Sequence, residues 1–155
     1  MPSIVNTPQF HGLCTISLAG LGLFFPTLAT ADPDKVKYEL QERCGLHANQ
    51  RFKEDYGNGI TNTKDGQLIS NFRNHYNSHL NKCFILMQTT GVNHKQTATG
   101  AISTTKMESL FDLNDNNEYG EFNKVDAQIL SCYVQDTQCS NYAQWQALIK
   151  PFLDQ

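Results

Sequence analysis

The chain has 155 residues, with 12 Lys and Arg against 15 Asp and Glu, a formal net charge of −3 and 39% hydrophobic residues. This length suits one small domain, and the weakly acidic balance excludes a basic nucleic-acid binder that works by neutralising phosphates. The composition also excludes a collagen-like, coiled-coil or disordered chain.

Residues 1–31 have the composition of a signal peptide. They contain no Lys, Arg, Asp or Glu, and most residues between 13 and 28 are apolar. Ala29-Thr30-Ala31 gives the small-x-small pattern that signal peptidase cleaves. The segment lacks a basic n-region, so the alternative is an uncleaved anchor, but Pro26 interrupts the run and a membrane span needs about 20 apolar residues. We expect cleavage after Ala31, which leaves residues 32–155 as a single domain.

The first helix is predicted between two clear boundary signals. Asp32-Pro33 suits the N-cap and the first helical position, and Gly57-Asn58-Gly59 ends the helix. Between these signals apolar residues recur every four positions, namely Val36, Leu40, Cys44, Ala48, Phe52 and Tyr56. Because Cys44 lies in the middle of this stripe, we expect it to face the core.

The hydrophobic period changes from four to two after the first helix. Residues 60–67 are rich in turn-forming residues. Leu68, Phe72 and Tyr76 then predict one face of a strand, and Asn77-Ser78 predicts the turn that follows it. A strand at residues 80–90 comes next, and because its centre is apolar on both faces we expect a central strand covered on both sides.

The last third of the domain predicts a loop, a hairpin, a short strand and a helix. Residues 91–100 are polar and loop-like, and the hairpin spans residues 102–125 with its reversal at Asn114-Asp115-Asn116-Asn117. A strand at residues 131–135 precedes a helix capped by Ser140. Its apolar face contains Tyr142, Trp145, Leu148, Ile149 and Phe152. We therefore predict an α+β fold with an N-terminal helix, an antiparallel sheet of four to five strands and a C-terminal helix.

Four cysteines remain after residue 31: Cys44, Cys83, Cys132 and Cys139. An even number in an exported chain predicts two disulfides. We favour Cys44–Cys83 and Cys132–Cys139 among the three pairings, because the second pair closes a short, turn-like loop. A zinc site built from all four is disfavoured, since the sequence has no C-x-x-C pair.

Two patterns are similar to metal sites. Asp112-x-Asn114-x-Asn116-x-Glu118 follows the first half of a calcium loop, but Asn117 stands where that loop needs Gly, and a hairpin turn explains the same residues. His75 and His79 have the spacing of a helical metal pair, yet they flank a predicted turn. We expect no metal, no cofactor and no catalytic residue, with zinc held by His75, His79 and a carboxylate as the alternative.

Residues 71–82 contain the densest group of recognition-type side chains. Amides, aromatic rings, an Arg and two His residues are mixed here, a combination that suits hydrogen bonding around aromatic anchors. The competing interpretation is one strand with a core face and a solvated face. The candidate binding residues are Arg73, His75, Tyr76, His79 and Asn81.

Several short motifs resemble those of a set of small exported bacterial proteins without an assigned activity. They are Glu42-Arg43-Cys44-Gly45, Tyr56-Gly57-Asn58-Gly59, Asn74-His75-Tyr76-Asn77 running into Leu80-Asn81-Lys82-Cys83-Phe84, and Trp145 with Lys150-Pro151-Phe152. The resemblance spans most of residues 32–155. It implies a bacterial protein that is periplasmic or secreted, and it implies no catalytic or binding residue.

These observations favour a non-enzymatic exported protein that binds another protein or an envelope component. Small periplasmic inhibitors and immunity proteins have this size and chemistry, which supports the prediction by analogy. We expect no nucleic-acid partner, and no membrane contact after signal cleavage. The alternative function is a small periplasmic metal-binding protein or a hydrolase that uses His75 and His79.

The intact mass of the protein exported by a bacterial host tests both the cleavage and the cysteine predictions. We expect a chain that begins at Asp32 and gains no mass on thiol alkylation unless it is first reduced. A mass that retains residues 1–31 would support the membrane anchor. Free thiols in the mature chain would contradict the two disulfides.

Overall fold

The computed structural model describes residues 32–94 and 101–154. In chain order its elements are α1 (Pro33–Tyr56), β1 (Ile60–Thr63), β2 (Gly66–Asn77), β3 (Lys82–His94), β4 (Ile102–Asp112), β5 (Asn117–Val125), β6 (Gln128–Val134), β7 (Thr137–Gln138) and α2 (Tyr142–Leu153). The α+β class, the two flanking helices and the disulfides Cys44–Cys83 and Cys132–Cys139 are as predicted. The predicted signal peptide lies outside the described residues. Neither described helix is long and apolar enough to cross a bilayer.

The sheet has seven strands in the described part of the chain, and the prediction of four to five is wrong. Every strand pairs antiparallel with the strand before it, so the spatial order is the chain order. Residues 60–67, predicted to be rich in turn-forming residues, form β1, a two-residue turn at Lys64 and Asp65, and the first two residues of β2. All four residues of β1 are exposed and β7 has only two residues, so neither strand has a buried face that sequence periodicity could detect.

Strand boundaries near the predicted turns also differ. Strand β2 runs through Asn77, and β3 begins at Lys82 and continues to His94, so part of the predicted loop at residues 91–100 is strand. Residues 95–100 of that predicted loop lie outside the described residues. The turn between β2 and β3 ends at Asn81, whose φ of 52° is left-handed, a backbone conformation that Asn adopts more readily than most residues.

Helix α1 begins and ends as its sequence predicts. The side chain of Asp32 accepts a hydrogen bond from Asp34 N at 3.0 Å, and Gly57 takes the φ of 60° that ends the helix. The apolar stripe lies on the sheet from Leu40 onward, where Cys44 and Ala48 are buried, whereas Val36 at its start is exposed. The disulfide from Cys44 to Cys83 ties the middle of the helix to β3.

Strand β3 lies between two cores, as predicted for a central strand. Ile85 and Met87 are buried in the core beneath α1, whereas Phe84 and Leu86 are buried in the core beneath α2. The two helices therefore cover opposite faces of the sheet. Burial of each aliphatic or aromatic side chain stabilises the folded chain by about 1.5–3 kcal/mol relative to exposure. The side chains of β3 are buried by both helices, so both helices stabilise this strand.

Helix α2 begins one residue later than predicted. Asn141, rather than Ser140, accepts from the N–H of Gln144 at 2.9 Å, while the Gln144 side chain accepts from Ser140 N at 2.8 Å. The first bond satisfies one N–H group of the first helical turn, and the second ties the residue before the cap to the same turn. Trp145 and Ile149 of the predicted apolar face are buried on the sheet, and Leu148 and Phe152 pack against the same core. Tyr142 is exposed instead, and the buried Leu153 was not predicted.

A buried carboxylate from the sheet holds α2 in place. Glu108 of β4 is 1% exposed and lies on the α2 face. Its oxygens accept from Trp145 Nε1 at 2.6 Å and from Tyr142 Oη at 2.9 Å, and Lys106 Nζ lies 3.2 Å away. The full set of neighbouring donors is Gln88, Lys106, Tyr142, Trp145 and Gln146. This buried carboxylate fixes the helix position, because the three donors on α2, namely Tyr142, Trp145 and Gln146, would lose their partner if the helix shifted.

Replacing Glu108 by Gln should lower the free energy of unfolding by about 3 kcal/mol, since an amide nitrogen would face donors that now share a negative charge. Urea denaturation measures this change. The matched control is Glu118→Gln, because Glu118 is exposed and accepts from Tyr133 Oη at 2.9 Å; its cost should stay below about 1 kcal/mol. Equal costs for the two variants would contradict an anchoring role for Glu108.

Candidate functional site

A cleft of about 180 Å³ opens between α1 and the end of the sheet where β2 turns into β3. The residues that line it are Leu40, Arg43, Cys44, His47, Tyr76, Asn81, Cys83 and Asn114. They come from α1, from β2 and β3 with their connection, and from the turn between β4 and β5. Residues distant in sequence therefore meet at one end of the molecule.

The floor of the cleft is rigid. It contains the disulfide between Cys44 and Cys83, whose Cα atoms are 5.4 Å apart, and the buried side chain of Tyr76. Tyr76 Oη donates to Asn81 Oδ1 at 2.6 Å, which fixes the amide at the edge of the cleft. A covalent bond and a short hydrogen bond thus hold the floor before any ligand arrives.

Two basic side chains of α1 form one wall. Arg43 and His47 are one helical turn apart, and both are exposed. Neither has a hydrogen bond or ion pair within the described residues. Arg51 continues the same row, but it bonds Asp55 at 2.5 Å and Asn116 Oδ1 at 2.6 Å. The donors nearest the cleft are therefore the ones left available for a ligand.

The opposite wall is the turn between β4 and β5, which Lys82 fixes. Lys82 Nζ contacts the carboxylate of Asp112 and lies 2.7 Å from Asp115 Oδ2. Asp112 is fully buried, and its Oδ1 accepts from Asn114 N at 2.9 Å. The oxygens of this calcium-like sequence thus bind Lys82 and the backbone of the turn, and they bring Asn114 to the cleft.

This ion pair changes the acid–base properties of the turn. The hydrogen bond from Lys82 lowers the pKa of Asp115 below its ordinary value, and the attraction of the ammonium adds to the effect. The hydrogen bonds to Asp112 and Asp115 in turn raise the pKa of Lys82. Lys82 and Asp115 are both charged at neutral pH. The negative charge of the carboxylates offsets the positive charge of Lys82, so Lys82 does not add to the positive charge of the cleft.

The structure divides the five predicted binding residues between two faces of the sheet. Tyr76 and Asn81 line the cleft. Arg73 and His75 lie on the opposite face, because alternate residues of β2 point to opposite sides; Arg73 is 3.6 Å from Asp154, beyond α2. His79 lines a separate pocket of about 370 Å³ beside Tyr119 and Phe152. The five residues therefore do not form one surface.

The two residues of the cleft wall that sequence reasoning missed are Arg43 and His47. Each directly precedes a buried residue of the apolar stripe, Cys44 and Ala48 respectively. That position places a side chain on the flank of a helix rather than on its far side. The spacing could have identified this flank, but it could not show that the flank faces the turn between β4 and β5.

No group of three or more His, Cys, Asp or Glu side chains within residues 32–94 and 101–154 is placed to hold a metal ion. The four described cysteines are paired with one another. Comparison of the chain with protein-family models, with curated proteins and with solved structures gave no match.

The ion pair between Lys82 and Asp115 predicts how the turn responds to acid. Because the pKa of Asp115 is lowered in the folded chain, the pair stabilises the turn above the ordinary Asp value of about 3.9, and this stabilisation is lost as the pH falls through the lowered pKa. Titration of the Asp115 carboxyl carbon by NMR should give a lower pKa in the native protein than in the reduced, denatured chain. Equal values in both states would contradict the ion pair.

Proposed function

We propose that this chain is an exported, non-enzymatic protein that binds another protein, and that its cleft receives an acidic side chain of that partner. The observation that carries the proposal is the pair of exposed basic side chains, Arg43 and His47, which stand on the cleft wall without a partner among the described residues. Opposite them lie the amides of Asn81 and Asn114. Guanidinium, imidazole and amide N–H groups are the donors that bind a carboxylate.

The charge of the cleft contrasts with the charge of the chain. The whole sequence has a net charge of −3, yet the described residues that line the cleft include two basic side chains and no Asp or Glu. Opposite charges across an interface speed association and select the partner. A local positive site on an acidic chain therefore favours an acidic segment over a basic one.

The fixed floor supports binding by lowering its entropic cost. The Cys44–Cys83 disulfide and the Tyr76–Asn81 hydrogen bond already hold the floor in place, so little freedom is lost there when a partner docks. Affinity gained in this way needs no large contact area. Arg and Tyr are also among the residues enriched at the energetic centres of protein interfaces.

The size and chemistry of the cleft favour a protein partner over a small substrate. Its volume of about 180 Å³ is below the roughly 300–1,000 Å³ usual for small-molecule sites. Its described lining residues offer His47 but no carboxylate beside it, so they provide no His–carboxylate pair for acid–base catalysis. The two disulfides support an oxidising compartment such as the periplasm or the cell exterior.

Site-specific photo-crosslinking in the organism that encodes the chain tests this proposal. A photoreactive residue at position 47 should give one discrete protein adduct. Adding Arg43→Glu should weaken capture at least about tenfold, because a carboxylate would repel the acidic side chain of the partner.

Two controls make the result specific. Lys35→Glu gives the same kind of charge reversal on the exposed first turns of α1 and should leave the adduct unchanged. A photoreactive residue at Lys124, on β5, should give no such adduct. Absence of an adduct from position 47, or an adduct that survives Arg43→Glu, would overturn the proposal.

A further inference from the structure

Strand β2 extends far beyond the short strand that covers its edge. Strand β2 has 12 residues, whereas β1 has four and pairs only with residues 66–69. The last backbone contact on this side is the hydrogen bond from Ser70 N to Gly59 O at 2.7 Å. No described strand lies beside residues 71–77 on this edge.

The direction of the backbone groups along this open edge follows from its two ends. Ser70 N points outward to Gly59, and Tyr76 N points outward to the side chain of Gln41, whose Oε1 accepts at 2.7 Å. Alternate residues of a strand present their N–H and C=O groups to the same side, and the register with β3 has no shift between these ends. The N–H and C=O groups of Phe72 and Asn74 therefore also point outward.

Gln41 occupies the place that a neighbouring strand would take at Tyr76. Its side-chain oxygen supplies the acceptor that a strand carbonyl would otherwise provide. Between Gly59 and Gln41 the outward groups of Phe72 and Asn74 have no partner within residues 32–94 and 101–154. Within the described part of the chain, Phe72 and Asn74 are thus two residues with unpaired outward groups, between two positions, Ser70 and Tyr76, where the outward N–H is bonded.

One flank of α1 runs beside this gap. Tyr38, Gln41, Gly45 and Asn49 follow one another at spacings of three and four, so they share that flank of the helix. Gln41 reaches the edge of β2, and a Cβ at Gly45 would be 3.7 Å from Asn74 Nδ2. Because Gly45 has no side chain, the backbone of α1 approaches the Asn74 side chain closely at this point. Tyr38 is 69% exposed and Asn49 is also exposed. We use the word groove for the open edge of β2 at Phe72 and Asn74 together with this adjacent flank of α1.

We propose that this groove binds an extended segment of a partner protein, which adds to β2 as an antiparallel strand and places an acidic residue opposite Arg73. The backbone donors and acceptors of Phe72 and Asn74 supply about four hydrogen bonds to such a strand. This surface lies on the other flank of α1 from the basic cleft, so it extends the binding function to a second contact region and rests on the proposed function.

The positive charge of Arg73 favours an added strand that carries an acidic residue opposite it. In the added ladder Arg73 takes a narrow, non-hydrogen-bonded position, where opposing side chains come closest. Its present contact is an exposed carboxylate, Asp154, at 3.6 Å, and pairs of this kind contribute little. A carboxylate on the added strand is therefore favoured.

A second copy of the chain is disfavoured as the occupant. Two-fold pairing that leaves Gly59 and Gln41 in place would put Arg73 opposite Arg73 of the second copy, and like charges at such positions are destabilising. Arg73 thus discourages self-pairing at this edge while it favours an acidic strand.

NMR titration with synthetic peptides tests the proposal on the oxidised protein. The probe is a capped peptide of sequence Thr-Val-Thr-Glu-Thr-Val-Thr at millimolar concentration. We expect the amide protons of Phe72 and Asn74 to shift downfield, as amide protons do on forming hydrogen bonds. A peptide with Lys in place of Glu should bind at least about threefold more weakly.

Two variants separate backbone pairing from other contacts. Asn74→Pro removes one outward N–H and should abolish binding, and proline is tolerated where a strand N–H points away from the sheet. Asn74→Ala keeps that N–H and should bind normally. Should Asn74→Pro fail to fold, Arg73→Glu provides the second test, because it should reverse the preference to the Lys peptide.

Three outcomes would overturn the proposal. The first is no shift at Phe72 and Asn74 with either peptide. The second is equal binding of a peptide whose alternate backbone nitrogens are methylated, since it cannot donate to the edge. The third is equal binding of the Glu and Lys peptides. The Arg43→Glu variant should bind the Glu peptide normally, so failure here is distinct from failure of the cleft proposal.

Discussion

Strand β3 needs apolar cover on both of its faces, and this requirement determines where the two helices lie. Its alternate side chains enter two separate cores, with Ile85 and Met87 under one helix and Phe84 and Leu86 under the other. The described connections link the strands in series and contain no helix that could cover a face. The segments before and after the sheet must do so. The first is held by a disulfide and the second by the carboxylate of Glu108.

The position of α1 over the sheet creates both proposed binding surfaces. One flank of the helix carries Arg43 and His47 toward the turns at the end of the sheet. The other flank carries Gln41 over the open edge of β2. A covalent bond in the middle of the helix holds both flanks at fixed distances from the strands. The two surfaces therefore differ in chemistry, but both are positioned by α1.

Capping residues, hydrophobic periodicity and cysteine spacing predicted much of the fold. They did not predict features that depend on residues distant in sequence. The boundaries of α1 and both disulfides follow from capping residues and cysteine spacing. Glu108 has the sequence context of a solvated strand residue, because its helical donors lie more than 30 positions away in sequence. Strand alternation already places Tyr76 with Leu68 and Phe72 and sends Arg73 to the opposite face, so the alternative of one core face and one solvated face describes β2 better than a single surface that holds both Arg73 and Tyr76. The role of Arg43 depends on a turn that only the folded sheet brings near.

The two disulfides join cysteines in the order in which they occur, Cys44 with Cys83 and then Cys132 with Cys139. In a chain that enters an oxidising compartment from its N-terminal end, each of these cysteines meets its native partner before a wrong one. Strands that pair only with their neighbours in sequence allow the sheet to grow in the same direction. If oxidation follows the order of the chain, the two disulfides therefore form directly, without rearrangement of a mispaired intermediate.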